Sequence, residues 1–437
     1  MTTADPRLVE AVHLVVGEAL SDQARAAERG ETGALDDRSR RQFAMALIRE
    51  QLDAESRARL GRAEPVLSEF EEDEVERAVL NRLFGLSRIQ DYLDDPDNTD
   101  ITIYGHDVVW LTKRDGSKVP GDPVAGSDAE LREIIQAAAR RGALTEKTWD
   151  SASPDLDLQL PSGDRLHALG WVTQRPAVSI RRHNFDLHRL KQLVPDTVSP
   201  SLFHFLRAAV AAKLNLIVAG ETGAGKTTLL RCLINEIDPT ERLVTIEDSL
   251  ELGISRFGDL HPDLIEAEAR EANTEGVGAY SMAKLVRQTL RMNPGRVVVG
   301  EIRGHEVTPM LLAMSQGNDG SMSTVHADSS ASVFSRLAMY TAMSPEGFGA
   351  ETTALMVANA VHLIVHIARL ATGERVVTSV REVIGADGAM VVSNEVYAPD
   401  PTRRAVPASL MSESTMRRLE GAGFDPSWHQ PSRGAWT

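Results

Sequence analysis

The sequence predicts an α/β protein built around a parallel sheet with helices on both faces. Two observations carry this. From Ser201 onward, continuously apolar runs (Leu214–Ala219, Leu243–Ile246 and Val297–Val299) alternate with helical segments, as strands buried on both sides do. A glycine-rich turn also stands between the first of these runs and the helix that follows it. The chain of 437 residues has room for two or three domains, and its 42% apolar and 25% charged content is ordinary for a soluble globular protein.

Residues 1–94 read as a helical region, because apolar residues recur at helical spacing. Leu8, Val12, Val15, Val16 and Ala19 mark one face, Phe43, Ala46, Leu47 and Leu52 a second, and Val75, Val79, Leu80 and Leu83 a third. The acidic run Glu69–Glu76 reads as a solvated helix face. Residues 95–186 change period. Asp100–Tyr104 and Val108–Thr112 are short strands, and a helix covers Ala129–Arg141. Leu156–Leu160, Arg165–Leu169 and Ala177–Ile180 then alternate as half-buried strands. Residues 187–200 carry Pro195 and Pro200 and read as a linker.

Residues 201–398 hold the parallel sheet. A helix over Ala354–Ala360 leads to three strands, His362–Leu370, Arg375–Ile384 and Met390–Tyr397, joined by tight turns as an antiparallel meander. Residues 399–437 offer one amphipathic helix (Ser409–Gly421) and a tail with little reason to fold.

A net charge of −16 argues against a general binder of nucleic acid or anionic membrane. The single cysteine, Cys232, precludes an intrachain disulfide and reads as a packed small apolar residue. Met1–Leu20 mixes charges into its apolar residues, so no signal peptide is expected. Ala354–Leu370 is interrupted by Asn359, His362 and His366 and is too short and polar to span a bilayer. A cytoplasmic protein without a transmembrane segment is expected.

The glycine-rich turn comprises Gly220, Glu221, Thr222, Gly223, Ala224, Gly225, Lys226, Thr227 and Thr228. It fits G-x-x-x-x-G-K-[ST] in full, between a strand and a helix, where the pattern has physical meaning. Glycines let backbone N–H groups wrap an anion, and the helix N-terminus adds partial positive charge. Lys226 would reach the β- and γ-phosphates and the Thr227 hydroxyl would hold Mg²⁺. An accidental match is the competing reading, and the flanking strand and helix argue against it.

Hydrolysis also needs metal support and a positioned water. Glu247 and Asp248 follow one apolar strand and Glu301 another, where ligands collect in open α/β sheets. Asp248 has the alternative role of a helix cap. His326 sits among small and hydroxylated residues at the end of a further strand; taken alone it reads as structural.

The order of these elements resembles the secretion and pilus-assembly traffic ATPases of type II and type IV systems. It runs from the phosphate loop through Thr245–Asp248 and Val297–Gly304 to Gly317–Ala327. Finer matches resemble the tight-adherence (Flp) pilus branch, the CpaF-like ATPases. They are Glu268, Arg270, Asn273, Glu275, Gly276 and Gly278, then Leu290–Pro294 and Ser335–Leu337. Asp164–Leu166 and Ser179–Arg182 resemble the arginine-bearing end of that family's N-terminal domain.

The resemblance implies a RecA-like motor domain with a smaller N-terminal α/β domain, hydrolysing ATP with Mg²⁺ as a homo-hexamer. Glu247 would orient the attacking water, Glu301 would support Mg²⁺ with Thr227, and His326 would sense the γ-phosphate or a neighbouring subunit. Arg165, Arg181 and Arg182 would bring positive charge as the N-terminal domain closes; each taken singly also reads as a solvated surface arginine. The implied partners are an inner-membrane platform protein and, indirectly, a pilin or secreted protein, with the ATPase held at the inner face of the membrane through those partners.

Three positions depart from the family pattern: Asn318 in place of a first histidine, Gly295 in place of an aspartate, and Asn293 in place of an arginine. They leave a weakly hydrolysing nucleotide-binding scaffold as one alternative. A nucleic-acid translocase of the conjugation type is another, opposed by the acidic balance.

Overall fold

The computed structural model describes residues 4–142, 148–183, 185–270, 272 and 277–430. It divides into two compact units, Met1–His183 and Asn184–Thr437.

The first unit opens with helices α1 (Pro6–Glu28), α2 (Asp37–Gly61), α3 (Glu69–Phe84) and α4 (Ile89–Asp94). Ser68 starts α3 with a capping box: its hydroxyl accepts from the Glu71 N–H at 3.3 Å, and the Glu71 carboxylate accepts from the Ser68 N–H at 2.8 Å. Such a cap contributes about 1 kcal/mol. The first three helices bury Val12 and Val16, Ala44 and Ile48, and Val75 and Val79 against one another. Val15 and Ala46, expected inside, face solvent instead: α1 buries the narrower stripe Val12, Val16 and Leu20, and α2 buries Ala44 and Ile48, one position beyond Phe43 and Leu47. Of the acidic run on α3, Glu74 alone is buried.

A wholly antiparallel six-stranded sheet follows in the same unit. Its strands are β1 (Asn98–Tyr104), β2 (Val108–Lys113), β3 (Lys118–Gly121), β4 (Asp155–Gln159), β5 (Arg165–Leu169) and β6 (Ala177–Arg181), in the order β3-β2-β1-β6-β5-β4. Alternate residues such as Ile101, Ile103, Leu166 and Ile180 face α5 (Asp128–Gly142) and its Leu131 and Ile135. Strand β3 escapes a sequence reading because it is four residues long and contains Pro120, which an edge strand tolerates.

In the second unit, α6 (Pro200–Ala211) precedes the sheet. The segment expected to be a linker is packed: Leu190, Leu193 and Val198 are buried with Leu202 and Phe205. Its apolar side chains outweigh the helix-breaking effect of Pro195.

The sheet then alternates with helices: β7 (Leu216–Gly220), α7 (Lys226–Ile234), β8 (Leu243–Glu247), β9 (Leu264–Glu268), α8 (Met282–Thr289), β10 (Arg296–Ile302), α9 (Val307–Ser315) and β11 (Met322–His326). Helices α10 (Ser332–Met343) and α11 (Ala350–Ala360) lead to β12 (Leu363–Arg369), β13 (Arg375–Asp387), β14 (Met390–Pro399), β15 (Ala405–Pro407) and α12 (Glu413–Gly421). The nine strands run β15-β14-β13-β12-β7-β11-β10-β8-β9. Those from β12 to β9 are parallel, and β12, β13 and β14 form the expected antiparallel meander, which β15 extends by a strand not expected from the sequence.

Leu216 and Val218 enter the core on one face of this sheet, and Ile217 and Ala219 the core on the other. That two-sided burial is why the strands read as unbroken apolar runs. Asn215 secures the start of β7. It is fully buried and donates to the carbonyls of Met314 (3.0 Å) and Ala360 (2.6 Å). It also accepts from the N–H groups of Gly320 (2.8 Å) and Ser321 (3.0 Å).

The segment expected to be a flexible tail is folded as far as Gln430. Beyond the expected helix, Phe424 and His429 are buried, and the Phe424 ring stacks edge-on against Phe205 at 5.9 Å. Residues 431–437 lie outside the described residues. Among the described residues no helix is long and apolar enough to cross a membrane.

Candidate active site

Four neighbouring parallel strands, β7, β11, β10 and β8, end at one edge of the second unit's sheet. Their last residues include Gly220, His326, Glu301 and Glu247. Gly220 lies so close to β12 that a Cβ would stand 2.2 Å from the Ile367 carbonyl oxygen. Gly223 (φ 76°) and Gly225 (φ 101°) take the left-handed turn that lets the loop curl onto the N-terminus of α7. No side chain caps that N-terminus, so its first N–H groups are left to an anion, which is the fit a phosphate requires.

Lys226 is 7% exposed. Its ammonium donates to the Glu221 carbonyl (3.0 Å) and to His326 Nδ1 (3.2 Å). His326 is opposite Gly220 in the β11–β7 register. Its Nε2 is 2.6 Å from Glu301 Oε1, an ion-pair contact when the ring is protonated. Burial lowers the pKa of this ring, with Glu301 opposing the effect. Arg303 Nε donates to the other Glu301 oxygen at 2.6 Å, and Arg303 also lies 3.8 Å from Asp248. Lys226, His326, Glu301, Arg303 and Asp248 thus form one line of charge across the strand ends. Asp248 therefore pairs with Arg303 and does not act as a helix cap.

Glu247 is 3% exposed and packs directly on Gly300, where a Cβ would stand 2.9 Å from the Glu247 Cγ. Its Oε1 accepts from the N–H groups of Glu251 (3.0 Å) and Leu252 (2.9 Å). Its Oε2 is buried with no hydrogen-bond partner. Burial pushes the carboxyl up to about 8, against the two N–H donors, which pull it down. A buried acceptor oxygen without a partner, on the strand-end edge that also carries the phosphate loop, suits a water or cation that arrives with substrate.

Among the described residues no group of three His, Cys, Asp or Glu is arranged to hold a metal by itself. Mg²⁺ bound with nucleotide needs only one or two carboxylates besides the phosphates. Glu301 and the half-buried Thr227 hydroxyl offer the hard oxygen donors that ion takes.

The N-terminal arginines belong to the first unit. Arg165 and Arg181 are cross-strand partners on β5 and β6, with Arg165 3.6 Å from Asp157. Arg182 departs from the expectation of a charge available to substrate. Its guanidinium donates to the carbonyls of Asp95 and Asn98 and lies 4.0 Å from Asp164.

A further cation at the loop has no signal in the sequence. Arg375, at the start of β13, donates through Nε to the Gly223 carbonyl at 3.2 Å. A Cβ on Gly225 would stand 3.0 Å from its Cδ. Only the folded β12–β13 hairpin brings it there.

The three departures sit away from this edge. Asn318 donates to the Ala313 carbonyl (3.2 Å) at the end of α9, before β11 begins. Asn293 has φ 52°, a left-handed conformation that asparagine tolerates well. Gly295 backs onto Arg242, whose carbonyl oxygen would stand 3.0 Å from a Cβ. Asn293 and Gly295 precede β10 as Asn318 precedes β11, so all three lie toward the strand starts, opposite the phosphate loop. Of the finer motif, Arg270 donates to the Gly278 carbonyl (2.8 Å), while Asn273, Glu275 and Gly276 lie outside the described residues.

The family described as type II/IV secretion system protein matches residues 128–405. This chain belongs to that family. It is an ATPase of the type II/IV secretion class. The "Putative conjugal transfer protein" of Mycobacterium tuberculosis (strain H37Rv) is 33% identical over 324 residues, covering 71% of this chain and 88% of that protein. Protein VirB11 of Agrobacterium fabrum (strain C58) is 30% identical over 311 residues, covering 64% of this chain and 87% of that protein. The crystal structure of the VirB11 ATPase from the Brucella suis type IV secretion system, in complex with sulphate, shares 25% identity. It covers 68% of this chain and 96% of its own, with a TM-score of 0.37.

Proposed function

We propose that this secretion ATPase hydrolyses ATP with Mg²⁺ to drive Flp-type pilus assembly or a related type II/IV export step. The observation that carries the chemistry is the continuous contact from Lys226 through His326 to Glu301 along one strand-end edge, with the unpartnered Oε2 of Glu247 at the next strand. In this reading the loop N–H groups and Lys226 hold the phosphates. In its ionised form Glu247 orients a water and takes its proton at Oε2 as the water oxygen bonds to the γ-phosphorus and the β–γ bridging bond breaks. His326 leaves Lys226 when phosphate arrives and keeps its contact with Glu301. Mg²⁺, bound by Thr227 and Glu301, would neutralise charge building on the phosphoryl oxygens.

The proposed working form is a homo-hexamer at the cytoplasmic face of the membrane, acting through a membrane platform protein on a pilin or secreted substrate. Arg165 and Arg181 are the proposed source of further positive charge for the transferred phosphoryl group. The Flp branch is supported by the matches at Leu290–Pro294 and Ser335–Leu337.

A conjugation-type role has one observation in its favour, the description of the mycobacterial relative. The charge of −16 weighs against direct DNA handling. Purified Lys226→Ala and Glu247→Gln should each lose turnover by at least about 100-fold. Wild-type rates in either would overturn the site assignment. Strong stimulation of hydrolysis by DNA would favour the conjugation reading, and loss of surface pili in a Lys226→Ala strain the pilus reading.

A further inference from the structure

Arg231 is 2% exposed, on the helix that begins at the phosphate loop. Its Nε donates to the Leu252 carbonyl (2.7 Å) and its Nη2 to the Glu251 carbonyl (2.9 Å). The same turn supplies the two N–H groups that hold Glu247 Oε1. One peptide group, between Glu251 and Leu252, has its carbonyl on Arg231 and its N–H on Glu247. A trans peptide is rigid and points these groups in opposite directions, so it fixes one side chain relative to the other. A cation on the carbonyl also polarises the N–H and strengthens its bond to the carboxylate.

The guanidinium of Arg231 lies 4.5 Å from the centroid of the Phe185 ring, and that of Arg256 lies 4.3 Å from it. The turn makes room for this ring at Gly253, with φ 57°, where a Cβ would stand 2.4 Å from Phe185 Cε1. Phe185 is the first described residue of the second unit. On the other side of Asn184, the His183 N–H donates to Asp164 at 2.9 Å within the first unit.

We infer that Arg231 is a positioning residue for hydrolysis. Acting through the Glu251–Leu252 peptide, it holds Glu247 with Oε2 presented to water, and Phe185 braces it at the point where the chain enters the second unit. This rests on Glu247 orienting the attacking water, as proposed above. Burying a charged group is costly unless it is well bonded, and here the bonds tie the phosphate helix, the glutamate and the chain's point of arrival into one assembly.

The full chain tests this. Arg231→Lys keeps the charge and loses the forked donor. It should lower kcat about tenfold and leave the Kd for ATP within about twofold, because the glutamate is displaced and the phosphate loop is not. Phe185→Leu should lower kcat by about threefold, and Phe185→Tyr should restore it, because the aromatic face is what matters. In a Glu247→Gln background, the residual single-turnover rate should not fall further when Arg231→Lys is added.

If Glu247→Gln itself retains turnover, the role given to Glu247 fails first. If Glu247→Gln is inactive, the inference is overturned by a silent Arg231→Lys, by a matched loss in Kd, or by an undiminished loss in the double variant. Should Arg231→Lys not fold, Phe185→Leu and its Tyr counterpart decide the question alone.

Discussion

Glu247→Gln should change stability as well as turnover, with a sign that depends on pH. In the nucleotide-free fold, burial raises this carboxyl from its ordinary 4.5 to about 8. At about 1.4 kcal/mol per tenfold, ionising it inside the protein costs about 5 kcal/mol relative to the unfolded chain. The folded form binds the extra proton, so stability is fully present below pH 4.5 and is lost as pH rises through about 8; most of the loss falls before pH 7. The glutamine amide stays neutral throughout. It places a buried N–H₂ where Oε2 has no partner, at a constant cost of about 1–3 kcal/mol.

The variant should therefore melt below the wild type at pH 4.5 and above it at pH 9, crossing between about pH 5 and 7. Each kcal/mol moves Tm by about 2–4 °C in a unit of this size. Thermal unfolding of both proteins without nucleotide, from pH 4.5 to 9, measures this. A Tm difference that stays flat across that range would falsify the buried, protonated carboxyl.

Three further outcomes are expected. Arg375→Ala should raise the KM for ATP about five- to tenfold with kcat within about twofold, since it removes a cation and a brace at Gly223; steady-state kinetics checks this, and an unchanged KM would remove Arg375 from the site. Asn215→Ala leaves four buried backbone groups without their partner and should destabilise the second unit by about 3–5 kcal/mol; denaturant unfolding reads the loss. Gly220→Ala should abolish nucleotide binding in a filter or fluorescence assay, because its methyl group would press on the Ile367 carbonyl.

The strand-end chemistry was legible because each element announces itself locally. Short apolar runs flanked by turn residues and alternating with helices read as doubly buried strands, and a carboxylate straight after one falls at the strand ends, as Glu247 and Glu301 do. The contact of Lys226 with His326 was not legible, since it depends on β11 lying beside β7, a neighbour fixed by topology and not by sequence order. Arg375 was hidden for the same reason. Arg182 looked like its neighbours Arg165 and Arg181, and only the folded chain shows its guanidinium bound to carbonyls of its own unit. Pro195 and Pro200 drew the linker reading, yet the apolar residues Leu190, Leu193 and Val198, on either side of Pro195, held the better clue.

That buried stretch bears on how the catalytic half can be isolated. Three aliphatic side chains ahead of Ser201 fill a trough beside Leu202 and Phe205, and the Thr197 carbonyl receives the Val377 N–H at 2.9 Å. Cutting at Ser201 strips away about 5–8 kcal/mol of burial and frays the rim of β13, the strand that delivers Arg375 to the nucleotide cradle. Cutting at Asn184 keeps the plug in place and the ring of Phe185 with it.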